Sequence, residues 1–224
     1  MNYSDKASSY YANVRHDLIN LLNPEKRGLK VLEIGAAYGE TLYYLKQQGI
    51  AAEAVGVDIF EDTENPQNYK PLDRFIFGNI EELDFPEFVG YFDIILLPDV
   101  LEHLIEPKKV LAKVYKYLAP DGEILVSMPN IRHYSAFKKI FLKGDFEYEE
   151  SGLFDYTHMR FYCKKNMVAL LEKSGFKVVY TESSIRNFKG RSVAKMVNSL
   201  TFGIFEEFFS LQYFLKAKKA GGAT

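Results

Sequence analysis

Short apolar runs alternate with helical patterns along most of the chain. The runs that predict strands are GLKVLEI, EAVGVDI, RFIFGN, FDIILL, GEILVSM, FKVVYTESS and LQYFLKAKK. Between the fourth and fifth runs, apolar residues recur at helical spacing; they are Val110, Leu111, Val114, Tyr117 and Leu118. Strand, helix and strand repeated in this way build a parallel sheet that is covered on both faces. The pattern therefore predicts one α/β domain over residues 1–224.

Two later segments interrupt this alternation. Residues 130–163 are crowded with aromatic and ionisable side chains and are too numerous for an ordinary connection. We expect this insertion to cover the substrate side of the active face. Residues 193–208 predict one helix that leads to the last strand, and the spacing of the phenylalanines there is typical of core packing. These phenylalanines are Phe202, Phe205, Phe208 and Phe209.

Charge and composition narrow the class of protein. The 28 basic and 30 acidic residues nearly cancel, so a formal charge of -2 supplies no net field to hold a polyanion. No run approaches the ~18 apolar residues that a membrane-spanning helix needs, and the first residues lack the apolar core of a signal peptide. We expect a cytoplasmic protein without membrane insertion or a nucleic-acid partner. The lone Cys163 predicts neither an internal disulfide nor a zinc site.

The first predicted strand ends in a distinctive motif, KVLEIGAAYGE. Glu33 puts a carboxylate at the carboxyl end of the strand, and Gly35, Ala36 and Gly39 form a tight turn in which the backbone can approach a ligand. The dinucleotide pattern G-x-G-x-x-G is not met. A negative turn suits a positively charged ligand, and S-adenosylmethionine carries a sulfonium and an ammonium group. A tight turn that binds no ligand is the alternative for this stretch.

Polar residues also follow the next strands. Asp58 comes 19 residues after Gly39, close to the spacing at which an acid accepts both ribose hydroxyls. Asn79 and Ile80 follow the third strand, where they can meet the edge and the face of an adenine. The fourth strand ends in residues that form the floor of the predicted pocket. The cofactor-binding residues predicted at these strand ends are Asp58, Ile59, Asn79, Ile80, Pro98 and Asp99.

The ordered set VLEIGAAYGE, GVDIF, GNIEEL, FDIILLPDVLEHL and LAPDGEILVSMPN resembles the class I S-adenosylmethionine-dependent methyltransferases over roughly residues 28–180. The resemblance implies a Rossmann-like sheet of seven strands in the order 3-2-1-4-5-7-6, with the last strand antiparallel. It also implies that residues 5–22 form an N-terminal lid helix, from which we expect Tyr11 to pack near the methionine portion of the cofactor. The chain departs from the family pattern at Ala37, where a glycine is usual, and at Asn79, where an acid is frequent.

Methyl transfer to an alcohol needs a general base near the methyl group. His103 follows the fourth strand, where its ring either faces the pocket or merely begins a helix. His158 lies three residues after Asp155, a carboxylate that could orient the imidazole, although the same residues could form a salt-bridged loop. The sequence leaves His103 and the pair Asp155 and His158 as alternative catalytic groups.

Two specialised resemblances suggest different acceptors. The insertion resembles methyltransferases of bacterial polysaccharide and glycan pathways, which implies O-methylation of a sugar hydroxyl on a nucleotide sugar or glycan. The aromatic side chains available for a sugar, at least half of which we expect in the core, are Tyr134, Tyr148, Phe154, Tyr156, Phe161 and Tyr162.

The motif LLPDVLEHL instead resembles the quinone-pathway O-methyltransferases, in which Asp99, Glu102 and His103 would fall at a magnesium site. We predict the sugar acceptor and no metal. A nicotinamide-dependent dehydrogenase is disfavoured by the glycine pattern. A protein that binds the cofactor without turnover is the remaining alternative.

Overall fold

The computed structural model describes residues 13–187 and 192–221. Residues 5–12 of the predicted lid helix 5–22, including Tyr11, lie outside these residues. Its described part is helical only over α1, His16–Ile19, and Arg15 precedes this short helix in a non-helical conformation.

The seven predicted strands form one sheet, and its predicted order is confirmed as β3-β2-β1-β4-β5-β7-β6. The strands β1 to β5 pair in parallel, whereas β7 runs antiparallel to both β5 and β6. The strands are β1 Leu29–Ile34, β2 Ala51–Asp58, β3 Arg74–Phe77, β4 Phe92–Pro98, β5 Leu118–Pro129, β6 Phe176–Ser183 and β7 Gln212–Lys219.

Helices cover the sheet and link its strands. They are α2 Glu40–Gln47, α3 Pro107–Tyr117, α4 Tyr134–Phe137, α5 Lys164–Lys173, α6 Ser184–Asn187, α7 Val193–Leu200 and α8 Glu206–Phe209, with a π turn at Lys138–Leu142 and 3₁₀ turns at Pro66–Asn68 and Pro86–Phe88. In α3 the predicted apolar stripe is buried, and Pro107 occupies the first turn, where a missing N–H costs no hydrogen bond. Among the described residues, no helix has both the length and the apolar character needed to cross a bilayer.

The core lies on both faces of the sheet. Successive residues of β4 point to opposite sides, so Ile95 and Leu97 join one buried cluster and Ile94 and Leu96 join the other. A strand that is apolar on both faces is what a parallel sheet covered by helices requires.

The C-terminal segment differs from its prediction. Residues 193–208 do not form one helix, because α7 ends at Leu200 and Phe202 and Gly203 adopt left-handed conformations with φ of 52° and 81°. The turn changes the direction of the chain, so the phenylalanine spacing no longer defines a single face. The predicted core position is also wrong for three of these phenylalanines, since Phe202 is 96% exposed and Phe205 and Phe208 are exposed as well, whereas Phe209 is partly buried.

The insertion 130–163 consists of α4, the π turn and irregular loops. Its backbone reaches the loop that follows β4, because the amides of Met159 and Arg160 donate to the carbonyl of Glu102 at 2.8 and 3.0 Å. A bridge between Asn130 and Tyr162 brings the two ends of the insertion together. The insertion therefore lies beside the residues that follow β4.

Candidate active site

A cavity of about 660 Å³ opens at the carboxyl ends of the central parallel strands. Ligands of open α/β sheets bind at this edge, and the volume falls in the range of small-molecule sites. The sequence-predicted residues that line it are Glu33, Gly35, Ala36, Asp58, Ile59, Asn79, Ile80, Pro98, Asp99 and His103. Within the described part of the chain, Gly39, Asp155 and His158 are not lining residues.

The turn after β1 has a backbone that only small residues can supply. Gly35 has a φ of 78°, and a Cβ there would lie 2.7 Å from the side chain of Val100. Ala37 is left-handed with a φ of 51°, and its N–H donates to Asp58 Oδ2 at 2.7 Å. Gly39, with a φ of 84°, immediately precedes α2. The turn is thus held by the second strand, and Gly39 shapes it without lining the cavity.

Glu33 is a buried carboxyl group at the cavity wall. Burial raises its pKa to about 8, against the opposing positive charge of Arg15. Its Oε2 has no hydrogen-bond partner among the described residues. Because a buried polar atom without a partner is costly, this oxygen fits a ligand with a cationic hydrogen-bond donor. The ammonium group of S-adenosylmethionine is such a donor.

Asp58 organises the neighbouring part of the cavity. Its Oδ2 accepts from Ala37 N, and its Oδ1 accepts from Phe60 N at 2.9 Å. Burial raises the pKa of this carboxyl group, and the two amides oppose the rise. Each carboxylate oxygen has a second acceptor site. The side chain can therefore hold its own loop and still accept hydroxyl groups of a ligand.

Asp99 anchors a network at the floor of the cavity. It has a φ of 53°, a left-handed conformation that is uncommon for a residue with a side chain. Its carboxylate accepts from Arg15 Nη1 at 2.8 Å, from Ser127 Oγ at 2.9 Å and from Gln212 Nε2. Ser127 and Gln212 had no sequence signal, because they reach Asp99 from β5 and β7 only after the sheet has formed.

His103 faces the cavity in a defined orientation. Its Nδ1 lies 3.1 Å from the carbonyl oxygen of Thr157. A carbonyl can only accept, so Nδ1 carries the proton and Nε2 is the basic atom. The amide and hydroxyl of Thr157 donate to Asp155 Oδ1 at 2.9 and 2.6 Å. Asp155 therefore positions the residue that orients His103.

The structure also brings His158 to the same place. Its ring centroid lies 4.8 Å from that of His103, in an edge-to-face contact. Its Nδ1 lies 3.2 Å from the carbonyl oxygen of Leu153. All three catalytic candidates, His103, Asp155 and His158, are thus neighbours, and of these three His103 lines the cavity.

Glu102 lies behind this histidine pair. It is fully buried, and neither carboxyl oxygen has a hydrogen-bond partner among the described residues. Burial and the charge of Asp99 raise its pKa well above the usual range. Potential ligand atoms of Glu102, His103 and His158 lie within 4.8 Å of one another. Two imidazoles do not suit magnesium, which prefers oxygen ligands, and Asp99 is bound by Arg15.

An aromatic cluster continues from the histidine pair toward the surface. The ring of Phe161 lies 6.3 Å from His158, 5.9 Å from Phe146 and 6.4 Å from Tyr148. Phe146 and Tyr148 are each about half exposed. The expectation that at least half of the six aromatic residues lie in the core is wrong. Only Phe154 and Tyr162 of that set are buried.

A family model described as a methyltransferase domain matches residues 7–181, which is most of the chain. The chain belongs to this methyltransferase family. Together with the observed strand order, the match makes it a class I S-adenosylmethionine-dependent methyltransferase, as the sequence motifs predicted.

Comparison with known proteins gives relatives that share the domain. The methyltransferase is 31% identical over 109 residues to the ubiquinone/menaquinone biosynthesis C-methyltransferase UbiE of Yersinia enterocolitica, covering 45% of this chain and 43% of that protein. It is 26% identical over 186 residues to the protein of the same name from Psychromonas ingrahamii, covering 79% of this chain and 67% of that protein. The chain thus spans less than half of the first relative and two thirds of the second.

A solved S-adenosylmethionine-dependent methyltransferase from Mesorhizobium loti has the same fold. Its TM-score against this methyltransferase is 0.63 at 15% identity, with 96% of this chain and 99% of that chain covered. At this identity the likeness extends to the fold alone.

Proposed function

We propose that this methyltransferase methylates a hydroxyl oxygen of a sugar, with His103 as the general base. The observation that carries the proposal is the geometry of His103. Its ring lines the cofactor cavity, and the Thr157 carbonyl leaves Nε2 as the basic atom. A transferase that acted on an already anionic acceptor would need no such group.

In this assignment, different residues of the cavity bind different parts of the cofactor. Glu33 supplies the unpartnered buried oxygen for the ammonium group, and Asp58 supplies acceptors for the two ribose hydroxyls. Asn79 and Ile80 lie on the cavity wall after β3 and flank the adenine in this assignment. When bound, S-adenosylmethionine supplies a methyl group on a cationic sulfur, so the C–S bond breaks, an O–C bond forms, and S-adenosylhomocysteine and one proton are released.

His103 accepts that proton. The acceptor hydroxyl donates to Nε2 as its oxygen gains the methyl group, and proton removal of this kind contributes about 100- to 10,000-fold to a rate. The resulting imidazolium keeps its hydrogen bond to the Thr157 carbonyl, which Asp155 holds through the Thr157 amide and hydroxyl. Solvent then takes the proton from Nε2 and restores the base.

The aromatic cluster supports a sugar acceptor. Phe146 and Tyr148 are each about half exposed, and Phe161 lies between them and His158 of the histidine pair. Aromatic faces pack well against the apolar C–H faces of sugars. The neighbouring acids Glu147 and Glu150 are exposed in the same segment and offer oxygens to sugar hydroxyls. Half-exposed rings in a cluster that continues from the histidine pair suit a ligand that is itself part apolar and part polar.

A second candidate is methylation of a quinone precursor. The named activity of the two relatives, a C-methyltransferase of quinone biosynthesis, favours it, and a phenolic ring could also lose a proton to His103. This candidate places the methyl group on carbon, whereas the sugar proposal places it on oxygen.

Product analysis distinguishes the two candidates. The full chain is incubated with S-adenosylmethionine and panels of nucleotide sugars, soluble glycans and quinone precursors. We expect release of S-adenosylhomocysteine with a sugar acceptor and an O-methyl signal in the product NMR spectrum. Turnover with quinone precursors alone would replace the sugar proposal. Cofactor binding without turnover on any acceptor would favour a non-catalytic binding protein.

A further inference from the structure

Exposed apolar side chains form a surface that the methyltransferase chemistry does not use. These side chains include several of the most exposed large apolar residues among those described: Phe202 at 96%, Ile204 at 78%, Phe141 and Leu200 at 72% and Leu142 at 70%. We call it the basic apolar face, and it comprises Tyr134, Phe137, Phe141, Leu142, Leu200, Phe202, Ile204, Phe205 and Phe208. Large contiguous apolar patches on soluble domains mark interaction sites.

Two segments distant in sequence build this face together. The ring of Phe208 lies 6.0 Å from Tyr134 and 6.3 Å from Phe137, and Phe137 stacks on Phe141 at 5.3 Å. Phe208 also contacts Phe209, whose ring lies 6.4 Å from Phe205. These contacts join rings of the insertion to rings of the last helix, and Leu200, at the end of α7, and Phe202 and Ile204, in the turn after it, directly precede Phe205 in the chain.

The charge of these segments is one-sided. By sequence, residues 134–144 and 184–205 hold seven of the 28 basic residues and none of the 30 acidic ones. Lys138 and Lys143 are exposed beside the apolar rings of the π turn. Two of the seven are paired with acids just outside these segments: Lys139 with Asp145 and Glu149 at 3.0 and 2.7 Å, and Arg186 with Glu206 at 2.5 Å. The other described cations of the two segments are Lys138, Lys143 and Lys195, a local group that the near-neutral total charge of the chain hides.

A groove of about 1080 Å³ adjoins the same helices. It is lined by Lys195, by Arg186, whose guanidinium is paired with Glu206, and by apolar side chains, among them Met196 and Phe202. A groove that is basic and apolar together matches a ligand with an anionic head and an apolar tail.

The face lies at the same edge of the sheet as the cofactor cavity. The strand β5 ends at Pro129 at this edge, and β7 begins there with Gln212, which pairs with Pro129. Gln212 also donates to Asp99 on the cavity floor. The segments that leave and enter these strand ends therefore carry both the acceptor side of the site and the basic apolar face.

We propose that the basic apolar face docks on the surface of an anionic lipid bilayer. Aromatic rings beside lysines are the composition of interfacial membrane contacts, in which apolar groups enter the headgroup region and cations meet anionic lipids. A second copy of the chain is disfavoured as the occupant, because a two-fold axis through the face would oppose like charges. Resting on the proposed function, the docked orientation assigns the sugar acceptor to the lipid-linked class.

Vesicle sedimentation of the full chain tests this inference. We expect binding to vesicles of phosphatidylcholine and phosphatidylglycerol, and weak binding to phosphatidylcholine alone. The double variant Phe202→Ser with Ile204→Ser should bind about tenfold or more weakly, which corresponds to the loss of about 1.4 kcal/mol. The variant Lys138→Glu with Lys143→Glu should lose the preference for anionic vesicles, and added salt should do the same.

Matched controls separate docking from general stickiness. Val89 is an exposed apolar residue on another part of the surface, and Lys108 is an exposed lysine of α3. Val89→Ser and Lys108→Glu should bind vesicles like the parent, and circular dichroism should show that every variant is folded. Equal losses in the control and face variants would overturn the inference.

Other outcomes also decide against the bilayer. The parent protein remaining in the supernatant with anionic vesicles would reject it. The inference would also be rejected if the parent formed a dimer in analytical ultracentrifugation and did not bind vesicles, and if the double variant of Phe202 and Ile204 were a monomer. The vesicle measurement needs no methyl acceptor, and S-adenosylhomocysteine release with a soluble sugar needs no vesicle. The failure of one proposal therefore leaves the other open to its own test.

Discussion

The two sides of the site both depart from the usual pattern of burial: one buries acidic groups, and the other exposes large apolar side chains. The cofactor side, at the ends of β1, β2 and β4, buries the carboxyl groups of Glu33 and Asp58. The proposed acceptor side, residues 130–163, 184–187 and 192–211, also carries the basic apolar face and exposes large apolar side chains such as Phe141 and Phe202. A buried acid is costly without a cationic partner, and an exposed ring is costly without an apolar one. Each side thus indicates the chemistry of what it binds.

The largest effect should come from the residue at the junction of the two sides. His103→Gln should lower kcat by about 100- to 10,000-fold, because the proton acceptor is lost, while cofactor affinity is retained. Initial rates with a saturating acceptor, together with calorimetric cofactor titration, measure both quantities. His16→Gln, at an exposed histidine, is the matched control. A His103→Gln rate equal to that of the parent would remove this residue as the base.

A substitution on the cofactor side should change the affinity for S-adenosylmethionine. Asp58→Ala should weaken S-adenosylmethionine binding by about 1.5–3 kcal/mol, the range for hydrogen bonds to charged groups. Isothermal titration calorimetry measures the change, and Glu61→Ala, at an exposed acid outside the cavity, serves as the control. Unchanged affinity would contradict the ribose assignment.

The buried acid of β1 predicts a pH dependence. Burial raises the pKa of Glu33 from 4.5 to about 8, so in this interval the folded protein without cofactor binds more protons than the unfolded chain. The free energy of unfolding should therefore decrease as pH rises from about 4.5 to about 8. Denaturant titrations should show a shallower decrease for Glu33→Gln. An identical pH profile for parent and variant would argue against a raised pKa.

The same group should release a proton on cofactor binding. A cationic ligand favours the ionised carboxylate, which lowers the pKa of Glu33. Calorimetry at pH 7 in buffers of different ionisation enthalpy should detect proton release by the parent and less by Glu33→Gln. If both proteins released the same number of protons, Glu33 would not be the group that contacts the bound cation.

The smallest effect should be on the stability of the acceptor side. Phe202→Ser should change the free energy of unfolding by less than about 0.5 kcal/mol, because an exposed ring contributes little to the core. Leu111→Ala, at a fully buried residue of α3, should cost about 2–5 kcal/mol. Chemical denaturation compares the two variants. A large loss for Phe202→Ser would show that the ring packs inside the protein.

Much of the cofactor side was predictable because its signals are local. A buried strand reads as an apolar run, and the residues directly after it must lie at the carboxyl edge of the sheet. Glu33, Asp58 and Asp99 were identified in this way, and all three line the cavity. The conformation of the turn was also local, since Gly35 permits a left-handed backbone that larger residues avoid.

The acceptor side was less predictable because its contacts are distant in sequence. The pair His103 and Thr157 spans 54 residues, and Gln212 meets Asp99 across 113 residues. Neither pair has a local pattern, and both depend on the order in which the strands assemble.

The sequence by itself determined the strands, their apolar faces and the polar residues at their ends, because side-chain periodicity and backbone preference act over a few residues. Only the tertiary structure decided which imidazole reaches the cavity and which aromatic rings stay uncovered. Helical spacing shows that apolar residues share a face, but it cannot show whether another element packs against them. At Phe202 a left-handed turn directs the ring to solvent, and that direction follows from the fold as a whole.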